Sequence, residues 1–349
     1  MSRWRLDWPT ASGQRLGSAL LKQTPEDFRV TELFDPEDAA LDIVAARSAG
    51  EALMVPGSGE HLLLEIEKTG DNTAWVGTEL GRLAGCGDKG VGYCGLKDRH
   101  AITRQWFSVQ RPGQAAEDEA FIEQVNSRWP ALRAVRQIRK LRRGEHRGNR
   151  FVITLRGITA DPAITDARLQ ELVRNGCPNY FGAQRFGFDG GNLEQAVRQS
   201  QAGRGAGRPA KRGRRRSPHA GLWFSAARSW LFNEVLATRI QQCSWFSALE
   251  GEPEVDTATG PLWGDGGTLA TGVQGELEKA VAEQQPELLA VFADTRMAPE
   301  RRPLQMRPRE LDWQWLEPGV LQLRFVLKPG QFATSVLAEV FETGDDSQL

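Results

Sequence analysis

No run of about eighteen or more apolar residues occurs anywhere in this 349-residue chain, so no membrane-spanning helix is expected. Cysteine is scarce: Cys86, Cys94, Cys177 and Cys243 are too scattered for a disulfide framework, and no C-x-x-C pair exists. The four histidines, His61, His100, His146 and His219, combine with those cysteines at no zinc-ligand spacing. There is no G-x-S-x-G nucleophile elbow. The opening Met-Ser-Arg-Trp-Arg-Leu-Asp-Trp carries charge where a secretory signal needs an apolar core. Together these absences predict a cytoplasmic, reduced protein with no membrane association. A hydrophobic fraction of 40% and a charged fraction of 26% fit a globular chain with real cores. Its length suggests two domains, or one domain carrying a large insertion.

The net charge of -1 gives no overall attraction to polyanions, but the distribution is uneven. Arg133 to Arg150 holds eight Lys or Arg residues against one acid, Glu145. Arg204 to Arg216 holds seven and no acid. Binding responds to local potential within a Debye length of roughly 8–10 Å, so such runs can face phosphate on a neutral protein. A solvated charged face is the simpler alternative for either run.

Residues 28–32 and 61–68 read as strands, and 150–156 as another. Asn72 or Thr73 can cap a helix through Trp75–Leu83 that ends at Gly85. Val91–Gly95 and Ile102–Gln110 are short β-rich runs flanking a charged loop. Residues 134–141 suit a strand, although their spacing of three also suits a helix. Pro162–Asn175 reads as a helix closed by Gly176. From Pro178 the style changes to a Gly- and aromatic-rich stretch, then to a helix within Leu222–Ile240. Gly260–Gly275 looks like turns. Beyond about residue 304 the first style returns, with a strand at Val320–Leu327 and a helix over 331–341. Strands at both ends around a different middle predict an α+β fold with an insertion. No internal repeat is apparent.

Gly85-Cys-Gly-Asp-Lys-Gly90 matches G-x-G-x-x-G. It follows a predicted helix and precedes a strand, the reverse of a dinucleotide site, so a glycine turn is the better account. More informative is Gly95-Leu-Lys-Asp-Arg-His-Ala-Ile-Thr-Arg-Gln-Trp-Phe-Ser-Val109. It sets one acid, Asp98, among Lys97, Arg99 and His100 on a loop between strands, where chemistry tends to sit. Nearby cations would keep Asp98 ionised in a pocket that excludes water. On composition alone the run reads as a solvated loop.

That run resembles the signature of the TruD family of tRNA pseudouridine synthases. Further matching blocks follow the same order: Leu20–Phe28, Arg147–Phe151, Pro178–Phe186, Phe224–Asn233 and Lys328–Ser335. The resemblance implies a pseudouridine-synthase fold with a mixed, largely antiparallel sheet over residues 1–177 and 305–349. It also implies a family-specific α+β domain inserted at 178–304. The implied activity is conversion of uridine to pseudouridine at position 13 in the D arm of tRNA, with no cofactor or metal and no obligate protein partner.

Asp98 is then the catalytic carboxylate. Phe151 is expected to stack on the target base and Asn149 to make polar contact, with Phe28 and Phe332 near the pocket and Lys22 beside Asp98. Each aromatic has core packing as its alternative. Lys97, Arg99, His100, Arg136, Lys140, Arg142, Arg143 and Arg147 are candidate RNA contacts. The run 204–216 is a weaker candidate. A non-catalytic RNA-binding protein or chaperone, and a metal-dependent hydrolase using Asp98 and His100, are the competing readings.

Overall fold

A computed structural model describes residues 3–34, 54–204, 220–293 and 295–345. Of the arginine-rich run 204–216, residues 205–216 lie outside the described residues. In chain order the strands are β1 (Ser18–Leu21), β2 (Phe28–Leu33), β3 (His61–Lys68), β4 (Val91–Tyr93), β5 (Ile102–Gln110), β6 (Ala131–Gln137), β7 (Gly148–Leu155), β8 (Cys177–Pro178), β9 (Thr259–Leu262), β10 (Glu300–Pro303), β11 (Gln305–Met306), β12 (Arg309–Glu317), β13 (Val320–Leu327) and β14 (Glu342–Asp345). The helices are α1 (Thr73–Leu83), α2 (Asp118–Asn126), α3 (Pro162–Asn175), α4 (Gly191–Arg204), α5 (Ala220–Gln241), α6 (Gly272–Glu283), α7 (Pro286–Phe292) and α8 (Ala333–Leu337).

The chain divides into two compact units. The first is Met1–Leu16, Pro162–Arg307 and Gln331–Glu342; the second is Gly17–Asp161, Pro308–Gly330 and Thr343–Leu349. Compared with the expected boundaries at 178 and 304, the first unit also takes the N-terminal segment, α3 and the short segment carrying α8. Packing decides this: Trp4 and Trp8 are buried with Tyr180, Phe186 and Trp230. Their indole N–H groups donate to Glu194 and Glu234.

The second unit is built on a sheet ordered β12-β13-β7-β2-β5-β3-β6, with β4 added on β5. β2 and β5 are parallel, and the other pairs are antiparallel. The apolar run of β3 forms a strand buried on both faces, paired with β5 and β6. Leu62, Leu64 and Ile66 pack with Phe107 and Val109 against Val76 and Leu80 of α1 and Phe121 and Val125 of α2. Leu63 faces the other way, with Trp106 and Val135. Each fully buried leucine contributes about 1.5–3 kcal/mol relative to an exposed one.

α1 starts where its cap predicts, the Asn72 side chain accepting from Trp75 N–H at 2.8 Å. Gly85 and Gly87 at its end take positive φ, +69° and +62°, so the G-x-G-x-x-G run is a turn. Two expectations change. The 331–341 stretch forms only the five-residue α8. The glycine-rich 260–275 stretch contributes most of β9 and the start of α6.

In the first unit α5 buries Ala226, Ala227, Trp230, Leu231 and Phe232 against Phe181, Phe186 and Leu193. The antiparallel β9–β10 and β8–β11 pairs complete it.

Candidate active site

The register of the second unit gathers several matched residues on one sheet face. On β2 and β7, Phe28 pairs with Ile153, Val30 with Phe151 and Glu32 with Asn149. β13 continues the row, Phe325 opposite Phe151 and Leu327 opposite Asn149. Side chains alternate along strands, so Phe28, Phe151, Asn149 and Glu32 share a side. Phe28 meets Phe151 edge to face at 6.1 Å, and Phe151 stacks on Phe325 at 5.4 Å. The core alternative for these rings is partly realised: Phe28 and Phe151 are both buried.

Asp98 lies on the loop between β4 and β5. Lys22 Nζ donates to Asp98 Oδ2 at 2.7 Å and sits 4.8 Å from the centre of the Phe28 ring. The Asp98 side chain keeps 30% of its surface open against 9% for Lys22, so the acid can be reached while its cation is covered. Lys22 has a φ of +57°, a left-handed conformation that costs a non-glycine residue about 1–2 kcal/mol. The other carboxylate oxygen accepts from the His100 backbone N–H at 3.0 Å, a local turn. Burial works to raise the Asp98 pKa, but these hydrogen bonds and the Lys22 charge outweigh it and hold the carboxyl below its ordinary value. Asp98 is therefore ionised at neutral pH.

The loop is braced from beneath. Gln105 donates to Gly95 O at 2.7 Å and accepts from Thr73 Oγ1, which in turn accepts from Lys97 N–H. Lys97 Nζ is 2.6 Å from Glu32 Oε2, both side chains almost wholly covered. A methyl at Gly95 would stand 3.0 Å from that ammonium, which would have to give by a few tenths of an ångström. Burial, only partly offset by Lys97, pushes the Glu32 carboxyl up. His146 borders the same pair, and burial together with the Lys97 charge draws its pKa down to about 4. It is a neutral ring at pH 7, 3.5 Å from Asn149 Nδ2. Asn149 Oδ1 is shielded and has no partner among the described residues. A further buried cation, Lys68, donates to Asp71 O at 2.8 Å; burial lowers its pKa to about 8, with Asp71 and Asp98 opposing.

The remaining expected RNA contacts divide. Arg99, Arg142, Arg143 and Arg147 are exposed, Lys140 is half-buried, and Arg143 lies 4.3 Å above the Tyr93 ring. His100 is exposed and accepts from Arg99 Nε at 2.9 Å. Arg136 is different. It is buried and forks onto Asp118 at 2.6 and 2.8 Å, so its guanidinium is consumed inside the unit. Lys97 is likewise turned inward, onto Glu32, which leaves neither cation free for phosphate. Phe332 belongs to the first unit, 5.8 Å from Phe181. Among the described residues no group of three or more His, Cys, Asp or Glu side chains is placed to hold a metal ion.

The family model described as tRNA pseudouridine synthase D (TruD) matches residues 10–194 and 254–340. The chain belongs to the TruD family. It is 53% identical over 351 residues to tRNA pseudouridine synthase D of Marinobacter nauticus, covering 99% of this chain and 97% of that one. The enzyme of the same name from Xanthomonas oryzae pv. oryzae is 39% identical over 376 residues, 97% of this chain and 95% of the relative. The crystal structure of a TruD protein from Methanosarcina mazei superposes with a TM-score of 0.63 at 21% identity, covering 96% of each chain, and shares the fold. Membership makes this chain a pseudouridine synthase, an isomerase.

Sequence reading missed Gln105, Thr73, Glu32, His146 and Lys68. Gln105 lay inside the signature run and could have been singled out; Glu32 and Lys68 look like ordinary strand residues until the sheet register is known.

Proposed function

We propose that this TruD-family enzyme converts uridine to pseudouridine in tRNA, at position 13 of the D arm, with Asp98 as the catalytic group and no cofactor. The observation that carries the reading is an ionised, reachable carboxylate held by a covered ammonium beside the Phe28–Phe151 pair.

The reaction must break the N1–C1′ bond, keep the uracil, turn it and close a bond from C5. A carboxylate can begin this in two ways. Attack on C1′ forms an acyl–sugar bond as the N1–C1′ pair leaves on uracil; C5 later attacks C1′ and expels the carboxylate. Removal of the C2′ proton instead drives those electrons into a C1′=C2′ bond as uracil leaves; C5 then adds at C1′ and the proton returns to C2′. In both routes C5 loses its proton and N1 gains one. Lys22 keeps Asp98 charged at the start of either route. Taking the base out of its stack costs a few kcal/mol, and stacking on an aromatic recovers about 1–3 kcal/mol per base. Phe151 is assigned to that stack and Asn149 to the base edge.

The test is pseudouridine mapping of tRNA treated with the parent enzyme and with Asp98→Asn. The parent should modify one D-arm uridine. The variant should lose about 10⁴-fold or more in rate, as when an essential catalytic group is removed, while still binding tRNA. Modification that survives the substitution would remove Asp98 from its role. A parent that binds tRNA and modifies nothing would favour an RNA-binding protein without turnover.

A further inference from the structure

Three of the matched blocks meet in the first unit around Phe181. Asn233 of α5 fixes the Phe181 backbone from both sides, accepting from its N–H and donating to its carbonyl, each at 2.9 Å. Ser335, from the block at 328–335, donates to Tyr180 O at 2.9 Å. Two guanidinium groups converge on the ring held there. Arg302 lies 4.1 Å from its centre and Arg185 lies 5.4 Å from it.

Both are half-buried, and their company differs from that of the other covered arginines in this chain. Arg239 is paired with Glu252, Arg301 with Glu278, and Arg111 and Arg136 share Asp118. Arg302 is braced by a neutral group, donating to Asn179 Oδ1 at 2.6 Å and to Asn179 O at 3.3 Å. Arg185 has no hydrogen-bond or ion-pair partner for its side chain among the described residues, and its Nε is sealed from solvent. Among the described residues neither arginine faces a carboxylate. Burial lowers the proton affinity of both, to about 10 for Arg302, where the Arg185 charge adds to the effect. Two like charges drawn out of water onto one ring cost free energy in the free protein, and an anion would offset it.

We propose that Arg185 and Arg302 form a phosphate-binding site, occupied in the working enzyme by a backbone phosphate of the RNA substrate. The planar guanidinium fork matches phosphate oxygens two at a time. Asn179 presents the Arg302 fork in a fixed orientation, and Arg185 brings donors that no described residue uses. The choice of RNA as the source rests on the tRNA reading above; the anion site itself does not.

The full-length protein is tested in two arms. In the first, melting temperature is followed against inorganic phosphate at constant ionic strength. The parent should be stabilised saturably, and Arg185→Gln should lose the response. Because no described residue accepts a hydrogen bond from the Arg185 side chain, Arg185→Gln without ligand should melt at or above the parent temperature. A fall there, with the phosphate response retained, would make Arg185 structural and end the proposal. Arg302→Gln is the second variant; it also gives up contacts to Asn179, so it is scored by its phosphate response against its own ligand-free melt. In the second arm tRNA affinity is measured across salt. Loss of one phosphate contact should lower the log–log slope by about 0.9 in Arg185→Gln. A phosphate response with an unchanged slope would assign the site to a free anion and overturn the RNA occupant. No phosphate response and an unchanged slope would overturn both. A parent that binds tRNA but makes no pseudouridine would fail the enzyme reading alone.

Discussion

Lys97 in the second unit, almost wholly covered, and Arg185 in the first, half-buried, are basic side chains that end in opposite company. Lys97 meets Glu32 at 2.6 Å and ties the Asp98 loop to β2. Arg185 meets an aromatic face and a second arginine, and no acid among the described residues. A buried cation whose countercharge lies within its own unit is spent on the fold, whereas a half-buried one with no countercharge among the described residues is the candidate for an outside anion. The same contrast separates Arg136, consumed by Asp118, from Arg143, exposed over Tyr93.

Four substitutions sharpen this contrast, beginning with the largest effect. Lys97→Met leaves Glu32 buried alone and should cost about 3–5 kcal/mol in urea unfolding. The Glu32 carboxyl would then titrate well above its unfolded value, binding protons more tightly when folded. The variant should therefore lose stability as pH rises and regain it toward mild acid; Lys97→Met with Glu32→Gln should recover most of the loss and its pH dependence. A pH-independent loss would mean the ammonium matters only as packing.

Arg136→Gln, with Arg111 still on Asp118, should cost about 1–3 kcal/mol and leave the salt slope of tRNA binding unchanged. A shallower slope would return Arg136 to the RNA surface. Lys22→Met removes the cation that holds Asp98 low. The reaction needs the carboxylate, so the acid limb of kcat/KM should move to higher pH by about one unit or more. An unmoved limb would show that Lys22 does not set the ionisation of Asp98. Arg143→Gln should be the mildest, within about 0.5 kcal/mol of parent stability, with the salt slope shallower by about 0.9.

Much of this was legible beforehand, for identifiable reasons. The apolar run of β3 and the Asn72 cap of α1 are local signals, and both elements formed where those signals put them. Asp98 stood out through the family signature around it, since on composition alone its run reads as a solvated loop. Arg136 misled because it sits among basic residues in sequence while Asp118, eighteen positions earlier, reaches it across the α2–β6 packing. The 331–341 stretch carries helical spacing, yet only five residues wind into α8. Segment membership was also hidden: nothing local in Trp4 or Trp8 announces that they complete a core made mostly of residues beyond 180.

The amino-acid order by itself determined the strand and helix periods, the turn glycines, the family signature and the identity of the single acid in that signature loop. Tertiary structure alone decided which charges are neutralised, because Coulomb attraction and desolvation depend on separation in space and access to water. Lys22 and Asp98 are seventy-six positions apart and 2.7 Å apart, and that second distance fixes the charge of the carboxylate.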